Sequence, residues 1–435
     1  MPLDLAEQLA APAESRLSRV AASVGGSMIL KIAAEIRERQ DAGHDVCNLS
    51  VGDYSPVEFP VPTPLLTEIK RALDEGHVNY PPSIGTPELR HAVTRYIARE
   101  LGLAYPFAGV FITAGSRAIV DSFFRATLNK GDVALSPVPA WNVHYYAGLA
   151  EAELVTVETR AEDGFLPRRE QLEPELRRAR VLCLCSPGNP TGTTFEEEHL
   201  AAICDMVLEE NARRREAGER DLLVLYDQVY WPITHKGRKH LTPVGLRPEM
   251  ARYTVFVDGI SKAFAATGVR VGWGFGPPDI IAGMAKFTGH GGAWAAKFAQ
   301  LGTARFLDDA EAVKAAFKTL QQSLEARLDL LTKGLAGLRD KGLPVDFIQP
   351  TGALYVTFKM AIADRTGPDG QSFGDNESIR AWLLEHAGMG IVPFEAFGVP
   401  AERAHTWFRL SVGAASKAQI EALIPRLEAA LATLS

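Results

Sequence analysis

Cysteine is scarce in this chain. Cys47, Cys183, Cys185 and Cys204 are the only four in 435 residues, too few and too scattered for a disulfide framework. Cys183 and Cys185 stand two apart in an apolar run, so on a strand they would share a face. The next cysteine is distant in sequence, and packing accounts for them better than a metal site does. Basic charge is not in excess either. Lysine plus arginine number 46 against 53 acids, a formal charge of −7, which favours solubility and argues against nucleic acid as the main partner. No apolar run approaches the length of a membrane span. Met1 to Glu7 show neither the basic start nor the continuous apolar core of a secretory leader. Repeats and low-complexity blocks are missing too. What remains is a chain with 46% hydrophobic and 23% charged residues, a globular composition long enough for several ordinary domains and a large core. The expectation is a cytoplasmic enzyme.

The middle of the chain alternates short apolar runs with helical patterns, the signature of a largely parallel sheet flanked by helices. Five runs read as strands buried on both faces: Val110 to Thr113, Val133 to Ser136, Val181 to Cys185, Leu222 to Tyr226 and Tyr253 to Val257. From about Glu311 the period changes. Val313, Phe317, Leu320, Leu324, Leu328, Leu331 and Leu335 recur at helical steps, which marks a long amphipathic helix leading to a second, smaller domain. That domain is expected to hold a helix over Ile379 to Leu384 and strands over Gly390 to Val392 and Trp407 to Val412. Its last helix carries Ile420, Leu423, Leu427 and Leu431, with a kink at Pro425. Asp364 to Ser378 reads as a surface loop, and Glu210 to Asp221 as a solvated helix end.

In an open parallel sheet, ligands bind beyond the carboxyl ends of the strands, so the residues just after each run carry the chemistry. Thr113 is followed by Ala114, Gly115, Ser116 and Arg117 opening a helix; a glycine, a hydroxyl and free amides at a helix start make an anion site. Ser136 is followed by a proline-rich turn ending in Trp141, and Cys185 by Ser186-Pro-Gly-Asn-Pro-Thr-Gly192. Asp227 closes the fourth run with Tyr230 three residues on, and Gly259-Ile260-Ser261-Lys262 succeeds the fifth. One rim thus gathers an anion cradle, a flat aromatic, an amide, a carboxylate, a phenol and a lysine. That set suits a flat, phosphorylated, nitrogen-containing aromatic aldehyde: the lysine forms an imine, and the carboxylate keeps the ring nitrogen protonated.

The motifs, in this order and spacing, resemble those of the class I/II aminotransferases of the fold-type I pyridoxal-phosphate superfamily. The likeness covers nearly the whole chain: Ser186 to Gly192, Asp227-Gln-Val-Tyr230, Ser261-Lys262 with Arg270-Val-Gly-Trp273, Asn79-Tyr80-Pro81, Gly85 to Arg90 and Pro350 to Tyr355. It implies an α/β fold with a mostly parallel seven-stranded sheet in a large domain (61–310), and a smaller α+β domain (311–435) to which residues 1–60 contribute. It implies pyridoxal 5'-phosphate as cofactor, Lys262 as the Schiff-base lysine and proton carrier, and Asp227 on the pyridinium nitrogen. Asn189 and Tyr230 would hold the ring oxygen, and Trp141 would stack on the ring. Gly115, Ser116, the amide of Arg117, Ser261 and Arg270 would bind the phosphate. On the substrate side stand Arg409, for the α-carboxylate, with Asn189 and Gly52. Tyr80 would reach the phosphate of the neighbouring subunit, which implies a homodimer. Asn189–Pro190 is expected to be cis.

The chain departs from the family pattern at Gly259, where some relatives carry a hydroxyl, and at Pro393-Phe394-Glu395-Ala396-Phe397-Gly398, expected to alter the pocket wall or its loop. Lys286 to Trp294 lacks the arginine that some aspartate-specific members use for the side-chain carboxylate. Taken singly the residues have plainer readings. An arginine such as Arg409 in an edge strand is commonly a solvated charge, although its flanking pattern favours function here. Tyr355 is open between packing and function; His290 and Trp294 are suggestive only, and for the lone His290 the structural reading is preferred. Glu196-Glu197-Glu198-His199 resembles a set of metal ligands, but a capping box of Thr194 and Glu197 at a helix start is the better account. Gly272 to Gly276 lacks a dinucleotide fingerprint's spacing.

The expected activity is ping-pong transamination from an L-amino acid, aspartate or aromatic, to a 2-oxo acid such as 2-oxoglutarate. A lyase, decarboxylase or racemase on the same site is the alternative. A DNA-binding regulator would need a further basic module before Gly52-Asp53, and a nicotinamide dehydrogenase would need a Gly-rich fingerprint after the first strand.

Overall fold

The computed structural model describes Leu5 and residues 18–23, 25–368 and 370–435. Of Met1 to Glu7 only Leu5 falls among them, so the expectation about a leader lies outside the described residues. After a short strand β1 (Cys47–Asn48) come seven strands: β2 (Val110–Thr113), β3 (Val133–Val138), β4 (Glu153–Glu158), β5 (Ala179–Cys185), β6 (Leu223–Asp227), β7 (Thr254–Gly259) and β8 (Gly272–Phe275). They form one sheet in the order β2–β8–β7–β6–β5–β3–β4. β8 runs antiparallel to both its neighbours, and the remaining pairs are parallel. Helices cover both faces, so alternate residues enter two different cores. Val181, Cys183, Leu223 and Leu225 pack on one side with Phe123 and Phe124. Leu182, Leu184, Val224 and Tyr226 pack on the other with Leu200, Ile203 and Val207.

The 31-residue helix Ala310–Asp340 buries Val313, Leu320, Leu324, Leu328, Leu331 and Leu335, the stripe its period predicts. Beyond it lie β9 (Val345–Ile348), β10 (Tyr355–Met360), β11 (Met389–Gly390), β12 (Val392–Pro393) and β13 (Trp407–Ser411). β12–β13–β10–β9 make an antiparallel sheet, while β1 pairs in parallel with β11. The last helix runs from Lys417 to Leu431 through Pro425.

β4 and β8 are not legible as strands in the sequence: β4 is the exposed edge of the sheet, and glycines occupy half of β8. Thr194 is not a cap. The helix starts at Glu197 with Glu196 before it and no side-chain cap, because the Thr194 hydroxyl and amide both bond Thr351 Oγ1, at 3.0 and 2.8 Å. The expected loop Asp364 to Ser378 ends early, since Asp375 caps a helix over Asn376–Ala387. Glu210 to Asp221 is only partly solvated: Asn211 and Arg214 are buried, and Arg214 donates to Ala179 O at 2.7 Å.

Candidate active site

The carboxyl ends of β2, β3, β5, β6 and β7 open onto one cavity of about 310 Å³, and residues from β10, β13 and the Val51–Asp53 loop close its far side. Gly52, Ser116, Arg117, Trp141, Asn189, Asp227, Tyr230, Ser261, Lys262, Arg270 and Arg409 all line it. Gly115 lies against the Arg270 guanidinium, where a Cβ would collide with it, and its φ of +84° favours glycine. Tyr80 is elsewhere, 84% exposed, with its ring 6.1 Å from that of Trp294. A smaller, mostly apolar recess of about 60 Å³ lies behind Trp141 and shares Asn189 and Asp227 with the main cavity. Cys183 and Cys185 face this recess, and all four cysteines are free. Among the described residues no group of three or more His, Cys, Asp or Glu is placed to hold a metal.

The anion end is built by close backbone packing. Gly259 pairs with Gly272 across β7 and β8, and a Cβ on Gly259 would lie 2.8 Å from the Gly272 Cα. The missing hydroxyl at Gly259 thus has a steric cause. A Cβ on Gly272 would in turn meet Ser116 N at 2.7 Å. Arg270 donates to Thr267 O and Ala114 O at 2.8 and 3.2 Å, which aims its fork over Gly115. Ser116 precedes the Arg117–Thr127 helix, and its side chain makes no cap bond, leaving the hydroxyl free for an anion.

At the other end stand the titrating groups. Lys262 lies in the short helix Ile260–Ala263, and its Nζ donates to Gly52 O. Burial pulls its amine down to about 8; Asp53 opposes this, and the charges of Arg409, Arg270 and Arg117 reinforce it. Tyr54 donates to the Lys262 carbonyl at 3.1 Å. Burial pushes the Asp227 carboxyl up to about 6, against the pull of the Val229 N–H and the Lys262 charge. Asn189 is buried, with Oδ1 accepting from Arg409 Nη1 at 3.0 Å, and Asn189–Pro190 is cis, as are Val138–Pro139 and Ser186–Pro187.

Arg409 is not a solvated edge charge. β13 is paired on both sides, by β10 and β12, and Arg409 is 1% exposed. Its Nη2 donates to Ser50 O, and its guanidinium lies 4.7 Å from the Tyr355 ring centroid and 4.9 Å from that of Phe397. Glu395 turns away from the cavity to accept from Asn376 Nδ2 at 2.9 Å. Phe394 packs against Phe165 and Trp407, so Phe394 and Glu395 fix a loop, and of this segment Phe397 is the residue that lies against the Arg409 guanidinium. Sequence reasoning missed Ser50, Asp53 and Tyr54. They sit in an irregular segment whose only signal was its place beside Gly52.

These residues fit pyridoxal phosphate: an anion cradle at Gly115, Ser116 and Arg270, a carboxylate, an amide with a phenol, and an amine, all on one cavity. Fold and site together define a pyridoxal-phosphate enzyme of the α/β type. Residues 44–427 match aminotransferase class I and II. The chain is 30% identical to an aspartate aminotransferase of Geobacillus stearothermophilus, over 88% of this chain and 92% of that one. It is 31% identical to an aspartate/prephenate aminotransferase of Thermus thermophilus, over the same shares. The crystal structure of the Rhizobium meliloti aspartate aminotransferase superposes with a TM-score of 0.87 at 28% identity, covering 97% of this chain and all (100%) of that one. The T. thermophilus enzyme solved with maleate gives 0.84 at 28% identity, covering 95% and 99%. The chain belongs to the class I and II aminotransferase family and is a pyridoxal-phosphate-dependent transaminase.

Proposed function

We propose that the enzyme moves the amino group of aspartate to 2-oxoglutarate, with the cavity residues in the roles their positions suggest. The observation that carries this is the meeting of Lys262, Asp227 and Arg409 in one cavity. Pyridoxal phosphate, when bound, supplies the aldehyde that captures the amino group and the protonated ring that draws electrons from the α-carbon. Gly115, Ser116, the Arg117 amide, Ser261 and Arg270 hold the phosphate, and Trp141 covers the ring face. Asp227, ionised above about pH 6, keeps the ring nitrogen protonated. Asn189 and Tyr230 hold the ring oxygen. Lys262, whose amine lies near 8, is neutral often enough at mild alkaline pH to take the α-proton and return it. Arg409, beside Gly52 and Asn189, grips the α-carboxylate with its planar fork.

A dicarboxylate needs a second cation, and Lys286 to Trp294 offers no arginine. Arg117 fills that place in this reading. Arg117 lines the cavity; its guanidinium lies 4.8 Å over the Trp141 ring and makes no ion pair among the described residues. Two relatives are named for aspartate, and one was solved with maleate, a four-carbon dicarboxylate. The test is product analysis with aspartate and 2-oxoglutarate, which should yield oxaloacetate and glutamate. In Arg117→Ala, KM for aspartate should rise about 10- to 100-fold while KM for an aromatic donor changes less than about threefold. Equal effects on both donors would remove Arg117 from this role.

The reading also includes a homodimer, in which Tyr80 reaches the neighbouring phosphate. Tyr80 and Val78 are 84% and 68% exposed, so the Tyr80 hydroxyl is open to a second chain. Sedimentation should give a species of two chains, and Tyr80→Phe should weaken cofactor binding about tenfold; a monomer with full activity would refute it. We place the division at a large domain, 61–310, and a small one, 311–435, joined by residues 1–60, as the β1–β11 pairing suggests. A reducing cytoplasm suits four free thiols.

A further inference from the structure

We infer that Tyr355 is a positioning residue of the transfer reaction: its ring face holds the Arg409 guanidinium, and its hydroxyl orients that of Tyr230. The inference rests on the roles proposed above for Arg409 and Tyr230. Tyr355 opens β10 and is fully buried. Its Oη lies 2.6 Å from the Tyr230 Oη, the two rings meeting edge to face at 75°. The Arg409 Cζ stands 4.7 Å from its ring centroid.

The side chain has no freedom to do otherwise. A Cβ on Gly52 would lie 2.5 Å from the Tyr355 Oη, so the loop whose carbonyl receives Lys262 Nζ presses directly on this phenol. On the other side, Gly192 packs against the Tyr355 carbonyl so closely that a Cβ there would collide with it. Tyr355 is therefore clamped between the two segments that bear Lys262's partner and Asn189.

Counting protons gives the clamp a purpose. Each phenol carries one, and a single hydrogen bond joins the pair, so one proton remains for another acceptor. Burial pushes both phenols up. The Arg409 charge pulls both phenols back, but its guanidinium stands directly against the Tyr355 ring, 4.7 Å from the centroid, which favours Tyr355 as the donor of the pair. Either hydroxyl can donate across the 2.6 Å contact; with Tyr355 as donor, the Tyr230 proton is left to face the cavity, where accepting one bond strengthens the donation of the other. A phenylalanine would fill the same space and hold the same cation, yet would supply no such donor. Packing alone does not call for the hydroxyl.

The two halves separate by substitution in the cofactor-loaded enzyme. In Tyr355→Phe, KM for the amino donor should stay within about threefold of wild type, because the ring remains under Arg409. The pH midpoint of the bound cofactor's visible absorbance should rise by about half a unit as Tyr230 becomes a weaker donor. In Tyr355→Leu, KM should rise at least about tenfold as Arg409 loses its support. A Phe variant with the wild-type midpoint and turnover would make the hydroxyl mere packing and overturn the inference. So would a Leu variant with wild-type KM. If the Leu variant fails to fold, the spectral midpoint of the Phe variant still decides. A wild-type enzyme that binds no cofactor would instead sink the underlying reading, and this inference with it.

Discussion

Lys262→Ala should cut transamination by at least about 10⁴-fold, the top of the range for losing a positioned acid–base group, because in the role proposed for it the same amine also forms the covalent link to the cofactor. Every other polar group at the cavity stays in place, so the variant should still take up pyridoxal phosphate through the Gly115–Ser116–Arg270 cradle. The pH dependence separates the two contributions. In the wild type, covalent uptake needs the neutral amine, so its rate should climb about tenfold per pH unit below about 8 and level off above it. Uptake by Lys262→Ala should lack that slope. Stopped-flow absorbance with the cofactor-free proteins measures both. A variant that retains more than about a hundredth of wild-type turnover would mean that another group moves the proton.

The second large effect belongs to Asp227. Asp227→Asn removes the negative charge proposed to keep the ring nitrogen protonated, and turnover should fall about 10³-fold with the fold intact. Stability of the cofactor-free chain should move the other way. The folded-state carboxyl, at about 6, lies above its ordinary value of 3.8. Asp227 therefore contributes stability below about pH 4, and that contribution is lost as pH rises through about 6. An asparagine does not titrate. Measured against wild type, the variant should gain stability between pH 4 and 7, by about 2 kcal/mol once partial exposure to the cavity is allowed for. Denaturant melts at those two pH values test it. A variant less stable than wild type at pH 7 would show that Asp227 is held as a charge by structure rather than kept for chemistry.

Much of this site is readable in the sequence, for a physical reason. β2, β3, β5, β6 and β7 are apolar on both faces, so each reads as a strand, and parallel strands carry their ligand groups at one end. Lys262, Asp227, Asn189, Ser116 and Trp141 all come directly after such runs and meet on the cavity. The failures have physical reasons too. β8 is half glycine because its backbone must approach β7 and Ser116, and that need erases the pattern a strand shows. Arg409 has the plain reading of an edge charge because β12, which covers it, is two residues long and holds Pro393. Thr194 fits the capping pattern, but a hydroxyl 157 residues away in sequence engages it first. Tyr54 and Tyr355 act across the fold, on Lys262 and on Tyr230. No local spacing announces a partner that distant.

The most direct test of the central claim is the absorbance spectrum of the loaded enzyme while aspartate and then 2-oxoglutarate are added. The account predicts that aspartate bleaches the visible band in stoichiometric amount, that 2-oxoglutarate restores it, and that Lys262→Ala does neither. A visible band indifferent to both substrates, or one that aspartate bleaches with no oxaloacetate formed, would contradict it.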